Sequence, residues 1–313
     1  MNVVVTGAAG FIGGHVTDRL LAQGHAVLAL DNLSFGRREY VAQGAEFWLV
    51  DLGEVTDAAF KERIVSFGPD CVVHLASIHF IPYCISHPER TFLSNVRSTD
   101  LIARTVAQCR SVRKILAAST MDVYPPSDVP HKETDAPSPR NVYGLSKLLT
   151  EHIIRFAVET TDQLAGVCLR LSNVYGPRET NPHLIPDALQ RITSHGDPEI
   201  RMGYLGGTRD FIHVFDVVDA LFSCLFQDTG RFQLFNVGTR RPTAVRQVVE
   251  ILRDELGDSR PIVEDRSELR TFDRMSLTPD ISRATTQTDW RPTTTIEEGL
   301  RSLARGIDLR SRE

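Results

Sequence analysis

The segment Thr6-Gly7-Ala8-Ala9-Gly10-Phe11-Ile12-Gly13 follows a β-branched run, Asn2 to Val5, and opens an amphipathic stretch, Phe11 to Leu21. That placement constrains the fold more than any other feature of the chain. Gly7 permits a tight turn after a strand, Gly10 lets backbone approach a ligand closely, and Gly13 lets the following helix pack against the strand. The helix N-terminus then turns its unpaired N–H groups toward an anion, and the pyrophosphate of a dinucleotide is the natural ligand, with Phe11 and Ile12 on the same contact surface. The spacing is G-x-x-G-x-x-G, one residue wider than the plain dehydrogenase form.

The remainder of the first half agrees with such a start. Short apolar runs at Ala26 to Leu30, Glu46 to Val50, Asp70 to His74, Lys114 to Ala118 and Gly166 to Leu171 alternate with longer amphipathic stretches, notably Thr91 to Cys109 and Tyr143 to Thr160. Strands alternating with helices predict an α/β fold: a Rossmann-type doubly wound parallel sheet with ligands at the carboxyl ends of its strands. Past Leu171 the texture changes. Pro177, Pro182, Pro186 and Pro198 cut the chain into short pieces before helical periodicity resumes at Arg246 to Glu255 and Ile296 to Ala304. The expected organisation is a dinucleotide domain over 1–171, with roughly 209–255 returning to it, and a smaller C-terminal α/β substrate lobe from 172–208 and 256–313. The charged end, Asp308 to Glu313, is expected to fray.

Composition removes several classes of function. The formal net charge is -5 and the basic residues are scattered, which argues against nucleic acid as a partner. No apolar run approaches the length of a membrane span, and the start of the chain carries no basic leader, so no membrane association and a cytoplasmic location are expected. Cys71, Cys84, Cys109, Cys168 and Cys224 lie far apart without metal-ligand spacing, so they read as reduced, buried thiols and no metal is expected.

Several residues are candidates for the ligand. Asp31 ends the second strand, where a carboxylate accepts hydrogen bonds from an adenosine ribose and repels a 2′-phosphate, so NAD is favoured over NADP; Arg37 and Arg38, close behind, are the competing phosphate ligands. Asp51 and Leu52 end the third strand, either at the adenine edge or in an ordinary turn. Tyr143 and Lys147 stand four residues apart, on one face of a helix. A positive charge beside a phenol favours the phenolate, which brings Tyr143 toward the working range as a general base. Thr120 closes the fifth strand, where a hydroxyl orients a substrate oxygen or simply ends a strand.

In this order the residues resemble the extended short-chain dehydrogenase/reductases of the NAD-dependent epimerase/dehydratase family, over nearly the whole chain. Besides the segments above, the likeness rests on Asn32, the run from His74 through Leu75, Ala76 and Ser77, Asn95, Val123-Tyr124, Arg170 with Asn173, Tyr175-Gly176-Pro177, Arg209-Asp210-Phe211, Asn236-Val237-Gly238 and Arg270 to Asp273. The resemblance implies that Thr120 works with Tyr143, that Lys147 holds the nicotinamide ribose, and that Asn32, Leu75, Ala76, Ser77 and Asn95 belong to the cofactor site. It implies that Asn173, Leu184, Arg209 and Arg270 grip a nucleotide diphosphate, in keeping with bidentate arginine recognition of phosphate. It also implies a homodimer built on the helices 91–109 and 143–160.

The departures bear on the reaction. Met121 and Asp122 follow Thr120, where 4,6-dehydratases of the family carry an acidic or hydroxyl residue and then Glu; Met121 cannot donate a proton, while Asp122 is either a base or a turn residue. Pro125 replaces the glycine after the Val-Tyr pair. The loop His79 to Cys84 is bulky and holds no arginine for a carboxylated sugar, and His79 either touches the sugar or packs. The implied activity is therefore 4-epimerisation of a nucleotide sugar, UDP-hexose foremost, with an Asp122-dependent dehydratase as the alternative. A catalytically silent NAD-sensing module is disfavoured by the intact Tyr143, Lys147 and Thr120.

Overall fold

The computed structural model describes residues 1–194, 196–265 and 277–306. The strands are β1 (Asn2–Thr6), β2 (Ala26–Asp31), β3 (Glu46–Leu49), β4 (Cys71–His74), β5 (Lys114–Thr120), β6 (Ala165–Leu171), β7 (Asn173–Tyr175), β8 (Ile200–Met202), β9 (Thr208–His213), β10 (Phe232–Val237), β11 (Pro242–Ala244) and β12 (Ile262–Glu264). The helices are α1 (Phe11–Ala22), α2 (Asp57–Phe67), α3 (Ile81–Ser86), α4 (Pro88–Phe92), α5 (Ser98–Gln108), α6 (Val142–Glu159), α7 (Leu184–Thr193), α8 (Val214–Phe226), α9 (Val245–Glu255), α10 (Ser282–Gln287) and α11 (Ile296–Arg305).

Seven strands form one parallel sheet in the order β10-β6-β5-β4-β1-β2-β3. Val3 and Val5 enter the apolar layer on one face and Val4 the layer on the other, and Val27 and Leu28 divide in the same way. Burial on both faces is why these strands read as unbroken apolar runs instead of alternating ones. The seventh strand, β10, has a weaker pattern, Phe-Gln-Leu-Phe-Asn-Val, and it finds its place by pairing with β6 from Phe232↔Gly166 to Val237↔Leu171. A separate core, including Ile185, Ala188, Ile200, Phe211, Val248 and Leu300, packs α7, α9 and α11 around the short strands.

Strand order reverses at β1, which has β2 on one side and β4 on the other. A doubly wound sheet opens a crevice at such a point, beyond the carboxyl ends of its strands. Gly7 leaves β1 with φ +70°, and a Cβ there would stand 2.7 Å from the backbone nitrogen of Ala76, which follows β4. Only glycine combines that conformation with that approach.

One helix departs from expectation. The periodicity predicts a single helix over 91–109, whereas α4 and α5 are separated by a wide π-turn, Leu93–Arg97. The turn carries Asn95, whose amide accepts from the Ile78 N–H (2.7 Å) and donates to the Ile78 carbonyl (2.9 Å) and Ser146 Oγ (2.9 Å). A side chain that ties a loop to a neighbouring helix in this way requires the local rewinding that a π-turn supplies. All five cysteines are free and buried. Among the described residues no helix is long and apolar enough to cross a membrane.

His74 ends β4 and is 1% exposed. The Thr99 hydroxyl donates to the Asn95 carbonyl (2.5 Å), which leaves it to accept from His74 Nε2 (3.0 Å), while Nδ1 meets Thr6 Oγ1 at 2.8 Å. Burial, with the Lys147 charge adding, pushes the imidazole down to about 3 from 6.5. The unfolded chain therefore takes up a proton here that the folded chain refuses. The contribution of His74 is intact above pH 6.5 and lost as pH falls toward 3. At pH 5 the loss should be about 2 kcal/mol relative to pH 7. Urea unfolding across that range should show a flatter pH dependence for His74→Asn, and an unchanged slope would contradict the assignment.

Candidate active site

One continuous cavity of about 520 Å³ runs from the glycine turn to the head of α6 and on into the short-strand region. Gly7, Gly10, Phe11, Ile12 and Gly13 line its floor, with Asp31, Asn32, Asp51, Leu52, Leu75, Ala76 and Ser77 beside them. Gly10 is the N-cap of α1, in extended conformation. A Cβ on Gly13 would lie 2.0 Å from the Gly7 carbonyl oxygen, so the first turn of α1 sits directly on the glycine turn. This is the close helix-to-strand approach that a pyrophosphate cradle needs.

Asp31 accepts from the Ala9 N–H (3.0 Å) and the Leu33 N–H (2.7 Å). Burial pushes its carboxyl up against those bonds. Neither competing arginine lines the cavity: Arg37 pairs with Glu39 and Arg38 lies over the Phe47 ring at 4.5 Å. Arg90, which no local sequence pattern singles out, lines this end of the cavity. It pairs with Asp51 and Glu54. Asp51 also accepts from Asn32 Nδ2 and the Gly53 N–H, each at 2.9 Å. Burial raises the Asp51 carboxyl, and these bonds outweigh it and leave it below its usual range. Asn95 is not among the lining residues: its buried amide bonds to Ile78, which lines the cavity, and to Ser146.

At the other end, Thr120, Met121, Asp122, Tyr143 and Lys147 face the same space. The N-cap of α6 explains their assembly. Asn141 Oδ1 accepts from the Gly144 N–H (2.7 Å), and its Nδ2 donates to Asp122 Oδ1 at 3.1 Å. Asp122 Oδ2 in turn accepts from the Thr120 hydroxyl at 3.1 Å. A Cβ on Gly144 would stand 2.3 Å from the Asp122 carbonyl oxygen, so the end of β5 rests on the first turn of α6. That contact brings Tyr143 to Thr120.

The charges are set by burial. Tyr143 is pushed well above the usual phenol range, first by burial and then by the Asp122 charge, with the Thr120 hydrogen bond pulling it back. This runs against the expectation from Tyr-Lys spacing alone: the phenolate is desolvated and stands beside the Asp122 charge, and Lys147 is not among the groups that shift it. Lys147, 2% exposed, is pushed down to about 8 by burial, with Cys168 and Glu151 opposing. Glu151 lies one further turn along the same face of α6. It accepts two bonds from Arg170, at 2.8 and 2.6 Å, and another from Ser119. Spacing of four residues from Lys147 is the signal that points to it.

His79 lines the cavity, but its ring is engaged by the Ser77 backbone and by Asn181 Nδ2 at 3.0 Å from Nε2. Burial pushes it down to about 4. Asn173, Leu184 and Arg209 line the far part of the cavity; Asn173 Nδ2 donates to the Asp210 carbonyl at 3.1 Å. Arg270 lies outside the described residues. Glu179 and His183, absent from the expected set, also line the cavity, with the His183 ring against His79 and Phe80. Among the described residues no group of histidine, cysteine and acidic side chains forms a metal site.

Fold and site together define a dinucleotide-dependent enzyme whose second ligand carries a reactive hydroxyl. The chain belongs to the NAD dependent epimerase/dehydratase family, whose model matches residues 3–238. It is 31% identical over 307 residues to UDP-glucose 4-epimerase of Corynebacterium glutamicum, covering 93% of this chain and 91% of that protein. It is 26% identical to dTDP-4-dehydro-6-deoxyglucose reductase of Escherichia coli, covering 98% and 97%. Among solved structures, UDP-glucose 4-epimerase of Thermotoga maritima with UDP-glucose superposes with a TM-score of 0.89 at 28% identity, over 97% of this chain and 98% of that one. The Thermus thermophilus UDP-glucose 4-epimerase complex with NAD gives 0.86 at 28% identity, over the same shares.

The glycine contact is directly testable. Gly13→Ala should cost about 3 kcal/mol or more in stability, since backbone and not a flexible side chain meets the new methyl. Whatever folds should lose dinucleotide affinity. Thermal unfolding and NAD titration of the variant measure both, and wild-type values would refute the packing described.

Proposed function

We infer that this chain is a nucleotide-sugar 4-epimerase, with NAD as its cofactor and a UDP-hexose as its substrate. The observation that carries the reading is a single cavity with a pyrophosphate cradle at one end and Tyr143 beside Thr120 at the other. The residues fit the cofactor: the Gly7–Gly13 turn would take the pyrophosphate, Asp31 the adenosine ribose, Asp51, Leu52 and Asn32 the adenine side, and Leu75, Ala76, Ser77 and Lys147 the nicotinamide riboside. Bound NAD supplies a hydride acceptor and a positive charge beside the phenol.

The chain's own groups do the rest. Burial holds Tyr143 as a neutral phenol until a positive charge is placed next to it; the phenol then gives its proton to water, so the phenolate base forms only in a loaded site. Tyr143 Oη then takes the proton of the C4 hydroxyl, and the Thr120 hydroxyl, whose proton can turn from Asp122 to the sugar oxygen, orients it as a donor. Lys147 keeps its charge below pH 8, where burial has set it. The 4-keto sugar turns over in the cavity, and as the hydride that bound NAD would hold comes back to its other face, Tyr143 returns the proton to the C4 oxygen, giving the alcohol of opposite configuration. No net oxidation results.

Asp122 acts here as a positioning residue. Its two oxygens are occupied by Asn141 and Thr120, and its neighbour Met121 is a 3% exposed thioether, so the acid and base for eliminating water are not assembled. Asn173, Leu184, Arg209 and Arg270 would hold the nucleotide diphosphate, with Asn173, Leu184 and Arg270 in the substrate lobe assigned to 172–208 and 256–313 and Arg209 at the first position of the returning segment. Leu93, Leu145 and Phe156, exposed on and beside the packed α5 and α6, support a homodimer through those helices. The unpaired buried thiols accord with a cytoplasmic location.

Incubation with UDP-glucose should give a product of unchanged mass whose C4 proton coupling in NMR changes. Loss of water would overturn the epimerase reading. Tyr143→Phe should lower kcat by about 10²- to 10⁴-fold with NAD still bound.

A further inference from the structure

The loop between β7 and α7 carries a buried carboxylate that the mechanism above does not use. The Glu179 side chain is 4% exposed, and its Oε1 lies 2.6 Å from His183 Nδ1. Burial pushes this carboxyl up and the histidine pulls it back. Carboxylates are rarely buried to this degree unless paired, and His183 is the partner that holds this one. His183 occupies the N-cap of α7, yet its side chain does not cap the helix; it is turned to Glu179 instead. The imidazole is 36% exposed and lines the cavity.

Its neighbours locate it. The His183 ring lies 5.5 Å from His79 and 5.8 Å from Phe80, on the loop that follows β4. His79 follows Ser77, on the stretch after β4 assigned to the nicotinamide side, so the ring contact sets His183 beside that part of the cavity. His79 cannot grip a ligand through either ring nitrogen, because Ser77 and Asn181 occupy them. For His183 the situation differs: Nδ1 is spent on Glu179, and among the described residues no protein group meets Nε2.

We propose that Glu179 and His183 form a dyad that recognises a hydroxyl of the hexose ring, Glu179 fixing the imidazole so that Nε2 faces the sugar. With Nδ1–H donated to the carboxylate, Nε2 presents a lone pair, and a sugar hydroxyl is the donor that satisfies it. Glu179 is a positioning residue and His183 the ligand. The proposal rests on the nucleotide-sugar reading above, and it adds a contact to the hexose, distinct from those to the diphosphate.

UDP lacks the hexose, and the comparison with it decides the matter. For His183→Ala, KM for the UDP-hexose should rise about tenfold, more than kcat falls, while the inhibition constant of UDP stays within about twofold. His183→Gln, which can still present an acceptor, should recover most of the affinity, and Glu179→Gln should fall between the two. A parallel weakening of UDP would move the dyad to the diphosphate and overturn the proposal, as would an unchanged KM. Should the wild type turn over no nucleotide sugar, the activity assignment fails first. Calorimetric affinities of UDP-hexose and UDP for wild type and His183→Gln then decide the dyad alone.

Discussion

The contact of α1 with the turn beneath it is the constraint from which the rest of the structure follows. With the hypothetical Gly13 Cβ only 2.0 Å from the Gly7 carbonyl, nothing larger than glycine allows the helix to start where it does. Starting there aims the helix N-terminus into the crevice where strand order reverses, and it leaves Gly7 in van der Waals reach of the segment after β4. The two strand ends are thereby held as one surface. Everything placed by β4, including Ala76, Ser77 and the loop bearing His79, takes its position from that approach.

A second junction fixes the chemical end in a similar manner. The backbone of Asp122 lies against Gly144, and the Asn141 cap reaches across to the Asp122 carboxylate. Capping usually serves the helix alone. Here the same amide ends a strand and starts a helix, so Thr120 and Tyr143, twenty-three residues apart in sequence, cannot drift independently. Behind them the buried Glu151 and Arg170 tie α6 to β6, and Ser119 joins β5 to the same carboxylate. A pair of this kind adds little net stability over an apolar replacement, yet it strongly penalises any arrangement that separates its members.

Much of this was legible before any coordinates, for physical reasons. Strands buried on both faces leave long apolar runs, and β1, β2, β4, β5 and β6 announce themselves that way; the edge strand β3, with Glu46 and Leu49 exposed, is read from its short apolar run alone, and β10, with Gln233 and Asn236 interrupting its run, is identified only by its partner β6. The glycine turn and the Tyr143 and Lys147 pair are local patterns, so spacing reveals them. The π-turn at Leu93–Arg97 is not, because Asn95 is paired with Ile78 and Ser146 from two other elements. Arg90, Asn181, Glu179 and His183 escape notice for the same reason: their relevance lies in what the fold brings beside them. The direction of the Tyr143 shift was also out of reach, since spacing reports a neighbouring charge but not the depth at which both groups are buried.

Partners, more than depth, separate the groups that hold from the groups that act. Asp31, Asp51, Asp122 and His79 all line the cavity, and each has polar atoms engaged by backbone or side-chain partners, which fixes its position in the wall. Burial shifts Asp31, Asp122 and His79 as it shifts Tyr143 and Lys147, the last down to about 8. A group whose protonation is set by desolvation responds to whatever charge enters beside it. For the phenol that response is the chemistry, and proton transfer becomes conditional on the site being filled.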